Sequence, residues 1–388
     1  MADPGDVAER EFLKEFNDYD QTVDVVSCWQ AFCHFRLKNA HFYRFGKFRT
    51  TDGADLTPDF ALAESADGAN ADSGSLICDI KKFPNPYPVG ADTKQQELAY
   101  QIFGASVEDI FKYAVPLKYV SDRDSLPKLV FSEHDIVLLT PSEIVDPVYT
   151  YLASKIESKP FNVGRSLVLV EYFYSQGEQL ERYVFKWKQG EANSPFSHTV
   201  LREQMVTKGL PLVVYPKHFL EYKIRYVLCN DPAPTIYLLV FLWLEVFLKT
   251  LSPDQIESWQ TTSSTRAIEI ELSVDQVHSK LETEYSAPFS KNDVRRALDK
   301  LVELKRAAVK DRDKEVYVIQ FYNIAGRVFR DFPGEQDGLG HKAKFKEYSR
   351  VFARLLAKKE IEPPPPRKRI GFRRSRPPRD YPRLPFPE

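Results

Sequence analysis

Two short stretches decide the fold of this chain: Asp55-Leu-Thr-Pro-Asp-Phe-Ala-Leu and Cys78-Asp79-Ile80-Lys81. Each lies in an apolar segment that is typical of a β-strand. The connector from Glu64 to Gly74 is built almost entirely from Ala, Ser, Asp, Gly and Asn, which indicates a loop between two strands. If the strands pair, Asp59 and Asp79 meet at one end of a sheet with Lys81 beside them. Two carboxylates and an amine there can hold a divalent metal and manage a hydrolytic water.

Length and composition indicate an ordinary globular protein with more than one domain. The chain has 388 residues, of which 43% are hydrophobic and 28% charged, and a chain of this length is expected to form two domains plus extensions. The net charge of −1 hides an asymmetry, because the segment from Arg367 to Glu388 carries +6 and the remainder −7. Any contact with nucleic acid must therefore come from local basic patches or from this tail.

The four cysteines favour free thiols in a reducing compartment. They lack C-x-x-C spacing and a nearby pair of histidines, so a zinc site or a disulfide framework is not expected. They are Cys28, Cys33, Cys78 and Cys229.

Neither the N-terminal residues nor the most apolar run of the chain indicates a membrane or secreted protein. The N-terminal residues are acidic and polar, so no secretory signal is expected. The most apolar run, Thr235 to Leu251, is short for a membrane span and carries Glu245 and Lys249. We interpret it as a buried helix, with a transmembrane helix as the minor alternative, and expect a cytoplasmic protein without membrane contact.

The first half of the chain predicts an α/β domain, with a mixed sheet flanked by helices. Its boundaries are 1–190. The predicted helices are Val7 to Phe16, Thr22 to Lys38, Thr93 to Phe103 and Pro147 to Ile156. The predicted strands are His41 to Phe48, Leu56 to Ala63, Ser75 to Phe83, Asp135 to Thr140, Ser166 to Tyr174 and Glu181 to Trp187.

The second half predicts a smaller α+β domain that resembles a winged helix. A connecting region, 191–233, precedes it, and the domain itself spans 234–325. Ser273 and Ser290 each begin a capping-box pattern, and a hairpin follows the second of these helices. A helical extension, 326–362, and a Pro/Arg-rich tail expected to be disordered, 363–388, complete the chain.

The helix that begins at Ser290 has an apolar stripe and a polar face. That face is predicted to bind DNA through Lys291, Asn292, Arg295 and Arg296. The alternative is an amphipathic helix whose charged face meets water or a protein partner, because acidic residues dilute the basic ones.

The Pro58-Asp59 and Asp79-Ile80-Lys81 motifs together resemble the PD-(D/E)XK nuclease superfamily, which has the restriction-endonuclease fold. The resemblance implies that Asp59 and Asp79 bind Mg²⁺ or Mn²⁺ and that Lys81 orients the attacking water. Several branches of the family add a Gln and a Tyr on the following helix, which here match Gln96 and Tyr100. Gln96 would orient the water or the phosphate.

Two features depart from the family pattern or compete with it. Many members contribute a Glu from the first helix, whereas this chain offers Glu11 and Glu15 in its first predicted helix and Asp24 in its second. Lys82 competes with Lys81, but its side chain is expected on the opposite face of the strand.

The function predicted from these residues is metal-dependent cleavage of nucleic acid, chiefly DNA, with the winged helix binding substrate, a second copy or a protein partner. Roles in genome defence, mobile-element processing or repair fit such a combination by analogy. Two alternatives remain open: a catalytically inactive nuclease fold that acts as a DNA-binding protein or scaffold, and a transcription regulator.

Overall fold

The fold is known from a computed structural model of the chain, which combines helices and strands in one mixed α/β arrangement. The α/β class predicted from the sequence is therefore confirmed. The structure describes residues 3–37, 40–44, 46–64, 70–71, 74–83, 86–87, 90–120, 130–131, 133–157, 166–176, 181–219, 228, 232–252, 254–255, 268–285, 289–321 and 339–361. The predicted tail, most of the connector from Glu64 to Gly74, and Cys229 lie outside these residues.

The helices are α1 (Pro4–Arg36), α2 (Thr93–Glu108), α3 (Val145–Glu157), α4 (Thr199–Leu201), α5 (Thr235–Phe241), α6 (Val274–Tyr285), α7 (Lys291–Glu303) and α8 (Leu339–Ile361). The strands are β1 (Ala40–Tyr43), β2 (Lys47–Thr50), β3 (Asp55–Leu56), β4 (Phe60–Glu64), β5 (Asn70–Ala71), β6 (Ser75–Ile80), β7 (Leu117–Val120), β8 (Val130–Phe131), β9 (His134–Pro141), β10 (Leu167–Gln176), β11 (Glu181–Trp187), β12 (Leu212–Val214), β13 (Ile268–Ser273), β14 (Ala307–Asp311) and β15 (Val316–Phe321).

A seven-stranded mixed sheet forms the centre of the fold, in the order β1-β4-β6-β9-β10-β11-β12. Strands β6, β9 and β10 run parallel to one another, and the remaining neighbours are antiparallel. The parallel strands are buried on both faces, and β6 and β9 accordingly consist largely of apolar residues. The predicted strand from His41 to Phe48 is instead two strands, because β2 turns away into a separate sheet of order β3-β2-β7-β8-β5.

Helix α1 covers one face of the large sheet. Asp3 caps its first turn by accepting a hydrogen bond from the Gly5 amide, and Pro4 follows at a position where a missing N–H is harmless. Trp29 lies in the middle of this interface against Phe60 of β4 and Phe185 of β11. The prediction of two separate helices is wrong, since no proline or glycine interrupts the chain between Asp6 and Arg36.

The opposite face of the sheet packs against α2, α3 and a 3₁₀ turn, Asp109–Tyr113, that continues α2. Helix α2 begins with a capping box in which Asp92 and Gln95 satisfy each other's backbone amides. Because side chains alternate along a strand, Ala61 and Ile77 face this second layer while Phe60 and Cys78 face α1.

The C-terminal half forms a three-stranded sheet, β13-β15-β14, with α6 and α7. Strand β13 is absent from the sequence prediction, although its alternating Ile and Glu residues have the period of a half-buried strand. The predicted hairpin is confirmed as β14 and β15, and the capping box at Ser290 opens α7 as expected. The apolar cluster beneath α1 continues without a break into this half, so the two halves share buried side chains.

Helix α8 packs against α1 and α5 and joins the two halves. At this contact the Lys342 ammonium forms an ion pair with Asp24 of α1, and Tyr183 Oη donates to the same carboxylate across 2.7 Å. Within the described residues no helix is long and apolar enough to cross a membrane.

Candidate active site

The pairing of β4 with β6 places the two predicted acids next to each other. Phe60 pairs with Cys78 in the antiparallel ladder, so Asp59 lies opposite Asp79 one residue further on. Both carboxylates are buried, with exposed fractions of 3% and 1%. The Ile80 amide donates a 2.5 Å hydrogen bond to Asp59 Oδ2, which ties the Pro-Asp turn to the end of β6.

Asp79 is the most strongly desolvated of the predicted site residues. Burial raises the pKa of its carboxyl, and the positive charges of Lys81 and Lys112 and the close contact with the Asp59 carboxyl only partly offset this. Neither Asp79 oxygen accepts a well-aligned hydrogen bond in the described part of the chain. Lys81 Nζ, 3.1 Å from Asp79 Oδ2, is thus at ion-pair distance without the alignment of a full hydrogen bond.

Lys81 remains charged at neutral pH. Burial of its stem lowers the pKa of the ammonium, but the neighbouring carboxylates of Asp79 and Asp109 outweigh this and raise it to about 12. A lysine in this state acts as a cation and hydrogen-bond donor, not as a base.

Three further residues complete the site, and sequence reasoning missed all of them. Asp109 Oδ2 lies 3.2 Å from Lys81 Nζ and 2.8 Å from Lys112 Nζ. Burial raises the pKa of Asp109, but the hydrogen bonds and charges of Lys112 and Lys81 together outweigh burial and hold that pKa below its usual value. Tyr113 Oη lies 3.5 Å from the carbonyl of Thr57, beside the acids, and burial followed by the charges of Asp79, Asp59 and Asp109 raises its pKa.

A local signal for Asp109 and Lys112 exists only in outline. Their i, i+3 spacing puts them on one side of a helical turn, but many surface turns carry such a pair. Their assignment to the site depends on α2 returning across β6, which no pattern in the turn itself reveals.

Lys81 and Lys82 point to opposite faces of the sheet. Lys82 points to the α1 side, where its ammonium donates to the carbonyl of Asp18. Asp24 is engaged by Tyr183 and Lys342, and the side chains of Glu11 and Glu15 are exposed on α1.

Gln96 does not join the acid–lysine group in the described contacts. It is exposed on the first turn of α2, and its amide donates a 3.0 Å hydrogen bond to the carbonyl of Ala91. Tyr100 belongs to an aromatic cluster, with its ring 5.9 Å from Tyr151 and 6.4 Å from Tyr87. The role of Gln96 stays a prediction.

On α7 the predicted DNA-binding side chains are largely paired with carboxylates of other elements. Lys291 Nζ lies 2.6 Å from Asp275 of α6, and Arg295 Nε lies 2.6 Å from Glu315 at the start of the second hairpin strand. Asn292 accepts a hydrogen bond from Arg295, and Arg296 is exposed. The positive charge that this face offers to phosphate is correspondingly small.

The donor set is suited to a hard cation. Among the described residues no group of three or more His, Cys, Asp or Glu side chains could hold a metal ion. Asp59 and Asp79 nevertheless lie within hydrogen-bonding reach of each other, and Mg²⁺ in such sites takes one or two carboxylates with water and substrate phosphate. Cys28, Cys33 and Cys78 are buried free thiols, as predicted, and Cys78 faces away from the acids.

Comparison with protein-family models, curated proteins and solved structures finds no match for this chain.

Proposed function

We propose that this protein is a metal-dependent nuclease that hydrolyses phosphodiester bonds, with DNA as the first substrate to test. One observation carries the proposal: the β4–β6 register buries Asp59 and Asp79 side by side on one face of the sheet, with the Lys81 ammonium 3.1 Å from Asp79. Burying two carboxylates beside a single lysine costs folding free energy, which is typical of a functional site rather than of a structural ion pair.

The order of elements gives independent support. Helix α1 is followed by the antiparallel strands β1, β4 and β6, then by α2 and by β9 parallel to β6. This order of elements, with two acids on adjacent strands at one end of the sheet, resembles that of the PD-(D/E)XK nucleases and supports the proposal.

Each residue has a defined task in this proposal. Asp59 and Asp79 would hold Mg²⁺ or Mn²⁺, which when bound polarises the phosphoryl oxygen and lowers the pKa of a water. Lys81, positively charged at neutral pH, donates to the attacking water or to a phosphate oxygen and stabilises developing negative charge. Before substrate binds, Asp109 holds the Lys81 ammonium in place through the 3.2 Å contact.

The C-terminal half is proposed to bind a partner through a winged-helix arrangement. Strand β13, helices α6 and α7, and the hairpin of β14 and β15 follow in the order expected for that motif. Because Lys291 and Arg295 are paired internally, a protein partner or a second copy fits this surface better than DNA does.

The runner-up function is a nuclease fold that binds nucleic acid without cutting it. The observation in its favour is that Gln96 contacts its own loop and that, among the described residues, no third carboxylate is placed to hold a metal ion together with Asp59 and Asp79. Binding without cleavage in the assay below would select this alternative.

The test is a cleavage assay on plasmid DNA, single-stranded DNA and RNA in the presence of Mg²⁺ or Mn²⁺. Asp79→Asn and Lys81→Gln should each reduce the rate by at least about a hundredfold, since each removes several kcal/mol of charge stabilisation in the transition state. Lys82→Gln is the matched control, because it changes the adjacent lysine on the opposite face. Equal cleavage by wild type and both site variants would refute the assignment.

A further inference from the structure

On the solvent-facing side of the site, the ammonium groups of Lys81 and Lys112 share a single carboxylate oxygen. Asp109 Oδ2 lies 3.2 Å from Lys81 Nζ and 2.8 Å from Lys112 Nζ. Each distance is that of a charge-assisted hydrogen bond. One oxygen held between two ammonium groups has the same environment as a non-bridging phosphate oxygen bound by two lysines.

The site is layered by exposure. Asp59 and Asp79 are almost fully buried, whereas the side chains of Lys81, Lys112 and Asp109 are 28%, 35% and 43% exposed. A ligand that approaches from solvent thus meets the two lysines before it meets the buried acids. Asp109 occupies the position between them.

The charges permit an even exchange. The carboxylate of Asp109 carries −1, as does a phosphodiester group. If that carboxylate swings out toward solvent and a phosphate takes its place, the total charge around Lys81 and Lys112 is unchanged. The attraction of Lys112 for Asp79 is also retained. The Asp109 side chain can rotate toward solvent without displacing other residues, because it is already partly exposed.

We propose that Lys81 and Lys112 form an anion site for a backbone phosphate of nucleic acid, and that Asp109 is the internal anion which occupies this site until substrate displaces it. The inference rests on the proposed function for the identity of the ligand and extends it to a binding residue, Lys112, and a competing residue, Asp109. The proposal predicts that DNA binds to Lys81 and Lys112 in the absence of metal, so binding can be tested separately from cleavage.

The chain contains a matched control for Asp109. Glu108 is the preceding residue, is also partly exposed, and forms its own 2.9 Å ion pair with Lys155 of α3. Glu108→Gln removes the same charge from almost the same place without touching Lys81 or Lys112. Comparing it with Asp109→Asn separates local competition from a general change in net charge.

The experiment measures binding of a short fluorescein-labelled DNA duplex by fluorescence anisotropy, in EDTA, over a series of salt concentrations. Asp109→Asn should bind about fivefold more tightly than wild type, as expected from removing one competing charge near the ligand. Glu108→Gln should stay within about twofold of wild type, because its carboxylate does not occupy the anion site. Lys112→Gln should bind more weakly and reduce the slope of log affinity against log salt by about 0.9.

Two results would overturn the proposal. One is Asp109→Asn binding no more tightly than wild type or than Glu108→Gln. The other is an unchanged salt slope in Lys112→Gln. If the variants show the expected binding pattern but the protein does not cleave nucleic acid, the anion site is supported and the proposed nuclease function is refuted. If the protein cleaves with metal but the variants do not show this binding pattern, the nuclease function is supported and the anion site is refuted.

Discussion

Replacing Asp79 by asparagine is expected to stabilise the protein while removing its proposed cleavage activity. The carboxylate is 1% exposed and accepts no well-aligned hydrogen bond in the described structure. Asparagine keeps the size of the side chain and removes its charge. Lys81 is not left without a partner, because Asp109 remains 3.2 Å away.

The sign of the effect and its pH dependence follow from the direction of the pKa shift. Burial raises the pKa of Asp79 more than Lys81 and Lys112 lower it, so ionising this group costs folding free energy at neutral pH. A buried acceptor that lacks an aligned hydrogen bond costs about 1–3 kcal/mol, so we expect Asp79→Asn, which removes the buried charge, to increase the free energy of unfolding by about 1–2 kcal/mol at pH 7. Below the pKa of the unfolded chain the carboxyl is protonated in both states, and the gain disappears.

Urea unfolding in EDTA, followed between about pH 4 and pH 8, measures this difference. The gap between variant and wild type should widen as the pH rises through the folded pKa of Asp79. Adding Mg²⁺ should narrow it, because metal bound to the folded wild type stabilises that protein selectively. A variant that is less stable than wild type at pH 7, or a gap that does not depend on pH, would refute the reasoning.

Two other substitutions probe the frame that holds the site. Gly104→Ala would place a Cβ 2.6 Å from Tyr151 Oη and 2.8 Å from its Cζ. We expect this clash to lower the free energy of unfolding, measured in urea, by about 1–3 kcal/mol. If adding Tyr151→Ala as a second change does not reduce the loss, the clash is contradicted. Asp24→Ala would leave the Lys342 ammonium, whose side chain is 11% exposed, buried without its principal counter-charge. We expect the free energy of unfolding, measured in the same way, to fall by about 3–5 kcal/mol. A fall of less than about 1 kcal/mol would show that this ion pair does not hold α8 to α1.

The sequence predicted the core of the candidate site better than it predicted the surroundings. Asp79 and Lys81 were correctly expected on one face of a strand, because alternation along β6 is a property of the strand itself. The strand pairing that joins Asp59 to Asp79 followed from the loop composition between two apolar runs. Helix α1 was predicted as two helices although no proline or glycine interrupts it, and β13 was missed although its Ile and Glu residues alternate with the period of a strand.

Local chemistry along the chain thus determined which segments form strands and helices, which side of β6 carries the acid and the lysine, and where α2 and α7 are capped. Only the tertiary structure decided which charges meet. Asp109 and Lys112 reach Lys81 from the far end of α2, and Asp275 and Glu315 neutralise the basic face of α7 from neighbouring elements. The physical reason is one of range: backbone periodicity operates over a few residues. An ion pair depends on a distance in space that two distant segments acquire only when their apolar faces pack together.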